Sequence, residues 1–189
     1  MNTSFYSQEE LEKIGFKSLG KNVCLSKKVS IYGADKISIG DNSRIDDFCI
    51  LSGKIEIGRY VHVSAYTALY GADFGITFAD YSGISARGTV YAASDDFSGE
   101  YMTNSTLPDE VRNVISESVM ISRFCQVGAG CTILPGSILN EGVAVGSMSL
   151  IKGNLSEWMI YAGVPCKPVK ERSRRILHLY DNLKSNDEI

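Results

Sequence analysis

Apolar residues return every six positions through most of this chain. The unit openers are Leu19, Leu25 and Ile31, then Ile39, Ile45, Leu51, Ile57, Val63 and Leu69. Phe78, Ile84 and Val90 follow a short interruption, and Ile121, Val127, Ile133, Leu139, Val145 and Ile151 follow a long one. A small residue often stands four places after the opener, as at Ser43, Cys49, Thr67, Ser82, Gly88, Cys125, Cys131, Ser137 and Ser149. Six is a multiple of two, so both positions face the same side of an extended strand. The spacings of three and four that a helix needs are missing. Gly20, Gly40, Gly58, Gly128 and Gly146 follow openers and suit tight corners. Three units to a triangular turn predict a β-solenoid of about six coils around one continuous core.

Residues 19–168 therefore form one repeat domain, flanked by a helical cap over 1–18 and a helix over 169–189. Ser7-Gln8-Glu9-Glu10 has capping-box spacing ahead of Leu11 and Ile14. Near the other end Ile176, Leu177, Tyr180 and Leu183 share one helical face. A regular solenoid offers no concave pocket, so function belongs to departures from the repeat. The short departure lies between Leu69 and Phe78. The long one, loop 91–118, carries Ser94, Asp95, Asp96, Phe97, Glu100 and Tyr101, a mixture suited to a polar, ring-shaped ligand.

Composition narrows the choice further. The chain has 189 residues, 19 Lys and Arg against 22 Asp and Glu, and a net charge of −3. Without a broad basic patch, nucleic acid is not an expected partner. With no basic start before an apolar stretch and no long apolar run, neither a secretion signal nor membrane association is expected. A cytoplasmic location fits. Of the five cysteines, Cys49, Cys125 and Cys131 occupy small inward positions and read as buried apolar groups.

The register of so many hexads, with the closing segment Tyr161-Ala-Gly-Val-Pro-Cys-Lys-Pro-Val-Lys170, resembles the hexapeptide-repeat acyltransferases over roughly Leu19 to Lys170. The resemblance implies an all-β fold, the left-handed parallel β-helix, whose hand opposes the general right-handed crossover preference. It also implies acetyl-CoA as cosubstrate and a homotrimer with active sites in the clefts between subunits. Val145-Gly-Ser-Met-Ser-Leu-Ile-Lys152 aligns with the family's donor-binding hexads. Gly128, Ala129, Gly146 and Ser147 are thereby placed along the pantetheine arm, and Lys152, Lys167 and Lys170 near the adenosine end.

Many relatives use a histidine base. Where sugar O-acetyltransferases place it, this chain has Gly130; where antibiotic acetyltransferases place it, in the long loop, stand Asp95 and Asp96. A hydroxyl acceptor needs a strong base, whereas an amine needs only a proton acceptor during attack. The pattern thus favours N-acetylation, and the chain is similar to the dTDP-4-amino-4,6-dideoxyglucose acetyltransferases of O-antigen biosynthesis. Asp95, Asp96 and His62 are the candidate catalytic groups, and Tyr66, Arg87, Ser94, Phe97, Glu100 and Tyr101 the candidate acceptor contacts. His178, in the C-terminal helix, reads as a surface or packing residue. Sugar O-acetylation is the alternative. A non-catalytic scaffold leaves the irregular loop and basic tail unexplained. A three-histidine zinc site cannot be built from His62 and His178 alone, so no metal is expected.

Overall fold

In the computed structural model, which describes residues 4–185, the hexads become short parallel strands on three walls. Each unit pairs with the unit one turn further on. Leu19, Ile39, Ile57, Phe78, Ile121 and Leu139 stack on the first wall. Leu25, Ile45, Val63, Ile84, Val127 and Val145 stack on the second. Ile31, Leu51, Leu69, Val90, Ile133 and Ile151 stack on the third. Every opener except Leu19 and Ile31, in the first turn, is buried. These side chains form a single apolar column, whose removal from water is the main favourable term for a solenoid.

The small inward positions solve a second problem. At each corner a backbone carbonyl turns inward and needs a donor. Ser82 donates to the Ala79 carbonyl at 2.6 Å, Ser137 to Leu134 at 2.7 Å and Ser149 to Gly146 at 2.7 Å. Cys49 and Cys131 do the same more weakly, to the Ser64 and Gly146 carbonyls. Burial pushes the Cys49 thiol up to about 11 and the Cys125 thiol up to about 12, so both stay protonated near neutral pH.

The structure departs from the hexad reading in three places. First, a seventh turn follows Ile151: Leu139 pairs with Leu155 and Val145 with Tyr161, both partners buried. Leu155 comes only four residues after Ile151, which breaks the six-residue count. Second, the short interruption is no loop. Ala68–Phe78 is one strand bending from the third wall to the first against Ile50–Ile57. The bend is tight: a Cβ on Gly71 would lie 2.0 Å from the Lys54 carbonyl oxygen. Third, the C-terminal helix begins at Arg175 and runs to Ser185, not from Val169. Cys166–Glu171 instead folds back antiparallel on Met159–Gly163, so the second wall ends in a hairpin rather than an open row.

Both ends are closed. The N-terminal helix Gln8–Glu12 has its capping box, Ser7 accepting from the Glu10 amide and Glu10 from the Ser7 amide, and buries Leu11. At the other end the Arg172 guanidinium donates to the carbonyls of Phe124 (2.7 Å) and Gly142 (2.9 Å). Tyr180 of the C-terminal helix sets its edge against Tyr81 and Phe124, holding the helix to one corner of the prism. Ile176, Leu177 and Tyr180 are half-buried there, while Leu183 is exposed. No helix of the described residues is long and apolar enough to cross a membrane.

Candidate active site

The corner joining the second wall to the third is where the sequence becomes unusual. Its turns stack directly: Asp46-Asp47-Phe48, Ser64-Ala65-Tyr66, Ser85-Ala86-Arg87, Gly128-Ala129-Gly130 and Gly146-Ser147-Met148. Each third residue has positive φ, from 60° at Met148 to 69° at Gly130, and from Tyr66 onwards each donates its amide to the carbonyl of the second residue of the turn below. That pattern consumes the third amide and leaves the second. Among the described residues the N–H groups of Ala86, Ala129 and Ser147 have no acceptor, so a row of donors one turn apart remains for a ligand. Small residues keep the row open. Gly128 could not be larger, since a Cβ there would lie 2.5 Å from the Ser147 amide nitrogen.

Gly130, the position at which the family resemblance led us to look for a histidine, is covered by a neighbouring side chain. The Met148 sulfur lies 2.4 Å from where a Cβ would be, and φ is +69°. This chain therefore places no side chain at that corner, and the Met148 side chain from the turn above lies over it. Lys152, Lys167 and Lys170, the expected adenosine-end cations, are exposed towards the C-terminal end of the same stack.

The loop leaves at the opposite edge of the third wall. Thr89–Tyr91 continues into Ala93–Asp95, which pairs antiparallel with Val114–Ser116, so Ala93 faces Ser116 and Asp95 faces Val114. This short ribbon anchors the root of the loop. Beside it lies a cavity of about 430 Å³ walled by Tyr91, Ser94, Asp95, Phe97 and Leu134. Ser94 and Phe97 are thus brought to Asp95, while Glu100 and Tyr101 stand exposed further along the loop.

The two adjacent aspartates are not equivalent. Asp96 accepts from the Ser98 amide at 2.7 Å and from the Asn113 side chain at 3.0 Å, and these bonds hold its carboxyl below the usual range. It ties down the turn. The Asp95 carboxylate has no hydrogen-bond or ionic partner among the described residues and borders the cavity.

His62 lies elsewhere, on the second wall, where its Nε2 meets Asp46 Oδ2 at 2.8 Å. Asp46 also accepts from Arg44 at 2.7 Å. Burial raises the Asp46 carboxyl, but the bonds from His62 and Arg44 outweigh that and hold it low. Within one protomer His62 and Asp95 are on different walls. Tyr66 and Arg87 sit on the amide-bearing corner, a whole wall away from Asp95 in the same chain. Ser85, half-buried on that corner, was not among the residues singled out from sequence, because a serine in a hexad repeat carries no signal of its own.

Comparison with known proteins adds the remaining facts. No protein-family model matches the chain. It is 40% identical over 179 residues to the dTDP-4-amino-4,6-dideoxy-D-glucose acyltransferase of Escherichia coli, spanning 93% of each. It superposes with a TM-score of 0.97, at 51% identity over all of both chains, on the N-acyltransferase AntD of Bacillus cereus in complex with dTDP and 3-hydroxybutyryl-CoA. A serine variant of AntD in complex with dTDP-4-amino-4,6-dideoxyglucose and coenzyme A gives 0.96 at 52% identity, covering 98% of this chain and 100% of that one. AntD has also been solved as variants of an aspartate ten positions beyond that serine.

Proposed function

The chain belongs to the hexapeptide-repeat N-acyltransferases of dTDP-4-amino-4,6-dideoxyglucose, and on that premise we propose that it moves an acyl group from coenzyme A to the sugar's 4-amino nitrogen. The observation that carries the chemistry is the Asp95 carboxylate, without a partner among the described residues, beside a ligand-sized cavity, together with a glycine rather than a histidine at position 130. The free amine attacks the thioester carbonyl carbon, forming the C–N bond and a tetrahedral oxyanion. Asp95 accepts the proton that the nitrogen sheds. The C–S bond then breaks, and the departing sulfur takes that proton, directly or through water, to leave as the coenzyme A thiol. Amide donors of the Ala86 and Ala129 type suit the oxyanion and the pantetheine carbonyls. The sole serine and aspartate of this chain spaced as in the AntD variants are Ser85 and Asp95, which supports assigning both to the acceptor site.

Ser85 and Asp95 flank one wall, separated by the strand Thr89–Tyr91. One protomer cannot easily present both to a single amine. A closed ring of three copies brings the loop edge of one to the amide corner of the next, the arrangement the family resemblance implies. Each cleft of this homotrimer then holds one acceptor and one thioester. Acetyl is the simplest acyl group, and 3-hydroxybutyryl in the AntD complex marks a larger one to be tried. The cytoplasm, where coenzyme A and nucleotide sugars meet, is the fitting compartment.

The test is thiol release. The purified protein is given acetyl-CoA or 3-hydroxybutyryl-CoA and dTDP-4-amino-4,6-dideoxyglucose, or dTDP-6-deoxyglucose, which carries a hydroxyl in place of the amine. Release with the amine and at least about a hundredfold less with the hydroxyl is expected. Equal rates, or preference for the hydroxyl, contradict amine transfer.

A further inference from the structure

The ribbon that carries Asp95 is the thinnest sheet among the described residues. Ala93–Asp95 and Val114–Ser116 pair only with each other, whereas every other strand belongs to a larger sheet. A two-stranded ribbon is marginal by itself, so whatever ties its ends decides how firmly it holds a side chain. At the root, the Glu117 amide donates to the Ala92 carbonyl at 3.0 Å. At the far end, the Asp96 amide donates to the Asn113 carbonyl at 2.9 Å. Bonded and non-bonded pairs alternate along an antiparallel ribbon. With bonds at Ala92–Glu117 and Asp96–Asn113, the Asp95–Val114 pair falls between bonded rungs. Asp95 is therefore held by the rungs on either side of it, and the outer one is Asp96–Asn113.

That last rung is built differently from an ordinary one. The return bond, from the Asn113 amide to the Asp96 carbonyl, is not made among the described residues. The side chain of Asn113 supplies the second link instead, its Nδ2 donating to Asp96 Oδ2 at 3.0 Å. Beyond this rung the arms part around Phe97–Tyr101 and meet again where the Met102 amide donates to the Val111 carbonyl at 2.9 Å. The arm that bears Asn113 is itself anchored. On one side Val114 lies in the ribbon, and on the other the Arg112 side chain is only 16% exposed. The Asn113 side chain is exposed, does not line the cavity beside Asp95, and bonds to no described residue except Asp96.

We propose that Asn113 is a positioning residue for acyl transfer: by clasping Asp96 it closes the last rung of the ribbon and so aims the Asp95 carboxylate at the acceptor amine. The inference rests on the acyl-transfer reading above and adds to it what holds the proton acceptor in line. Side chains of a strand stand perpendicular to it, so a rung that frays next to Asp95 lets its carboxylate swing away from the cavity. Misplacing a proton acceptor by about an ångström costs rate without costing substrate affinity.

Steady-state kinetics of the full-length protein with acetyl-CoA and dTDP-4-amino-4,6-dideoxyglucose test it. Asn113→Leu keeps the size of the side chain and removes its donor. Its kcat is expected to fall on the order of tenfold, with the KM for acetyl-CoA within about twofold and the melting temperature within about 2 °C of wild type. Asn113→Asp sets carboxylate against carboxylate and is expected to lower kcat further. Adding Asp96→Asn to Asn113→Asp restores a donor to the pair with its direction reversed, so kcat is expected to rise. In Asp95→Asn, where no base is left to aim, Asn113→Leu is expected to cost less than about twofold. Wild-type kcat in Asn113→Leu overturns the proposal alone, as does a tenfold loss that persists undiminished in Asp95→Asn. A fall in kcat matched by losses of melting temperature and acetyl-CoA affinity assigns Asn113 to the fold and overturns its positioning role. Wild-type kcat in Asp95→Asn overturns the reading of Asp95 as proton acceptor and the proposal with it.

Discussion

Asp95 and Asp96 are neighbours in sequence and opposites in environment. Asp96 spends its oxygens on Ser98 and Asn113, whereas Asp95 keeps its carboxylate beside a cavity. Asp95→Asn, which preserves shape and removes the proton acceptor, is expected to lower kcat on the order of a hundredfold with little change in the KM for acyl-CoA. Asp96→Asn still accepts the Ser98 amide and is expected to cost less than about tenfold in steady-state assays. A reversed order would move the base to Asp96. The sequence made the aspartate pair and the missing histidine legible. It could not separate the two aspartates, since their difference lies in hydrogen bonds made by Asn113, seventeen positions away.

Each hexad works as a corner as well as a strand. The opener and the small residue were readable because their period is fixed by stacking one turn on the next. The seventh turn was hidden by a four-residue step, and the strand at Ala68–Phe78 by a bend that looks like a break in period. The last three residues of the C-terminal hairpin, Val169 to Glu171, read as helix because they run unbroken into a helical pattern, while their pairing with Met159 and Ile160 is set by tertiary context. The end cap depends on Arg172, whose guanidinium bonds carbonyls from two turns. Arg172→Ala is expected to destabilise the fold by about 1–3 kcal/mol, measured by denaturant melts, because those carbonyls lose their donor. The thiols give a second check on the elements. At pH 8 an alkylating reagent should modify exposed Cys24 readily, while Cys49, Cys125 and Cys131 react only after unfolding, since burial raises all three. Fast labelling of Cys125 in the folded protein would contradict the packed interior.

At the scale of the whole molecule, charge and assembly both have consequences. Asp47 is held low by its bond from Lys28, Glu10 by Lys27 and Asp96 by the Ser98 amide; Asp46 is held low by His62 and Arg44 against the opposing effect of burial. Depressed carboxylates stabilise the fold above the unfolded carboxylate range near pH 4, and that contribution is lost as pH falls through their lower folded values. The melting temperature is therefore expected to drop between about pH 5 and pH 3, and Asp47→Asn should flatten the drop. Sedimentation is expected to give three times the chain mass. Mixing Asp95→Asn protomers with protomers crippled at Ser85 should restore part of the activity if neighbouring copies complete each cleft. The most direct measurement is the mass of the product. Purified protein incubated with acetyl-CoA and dTDP-4-amino-4,6-dideoxyglucose should convert the sugar to a species heavier by one acetyl group, carried on nitrogen, with one thiol released per sugar. A recovered amine of unchanged mass, or an acetyl group found on oxygen, contradicts the account.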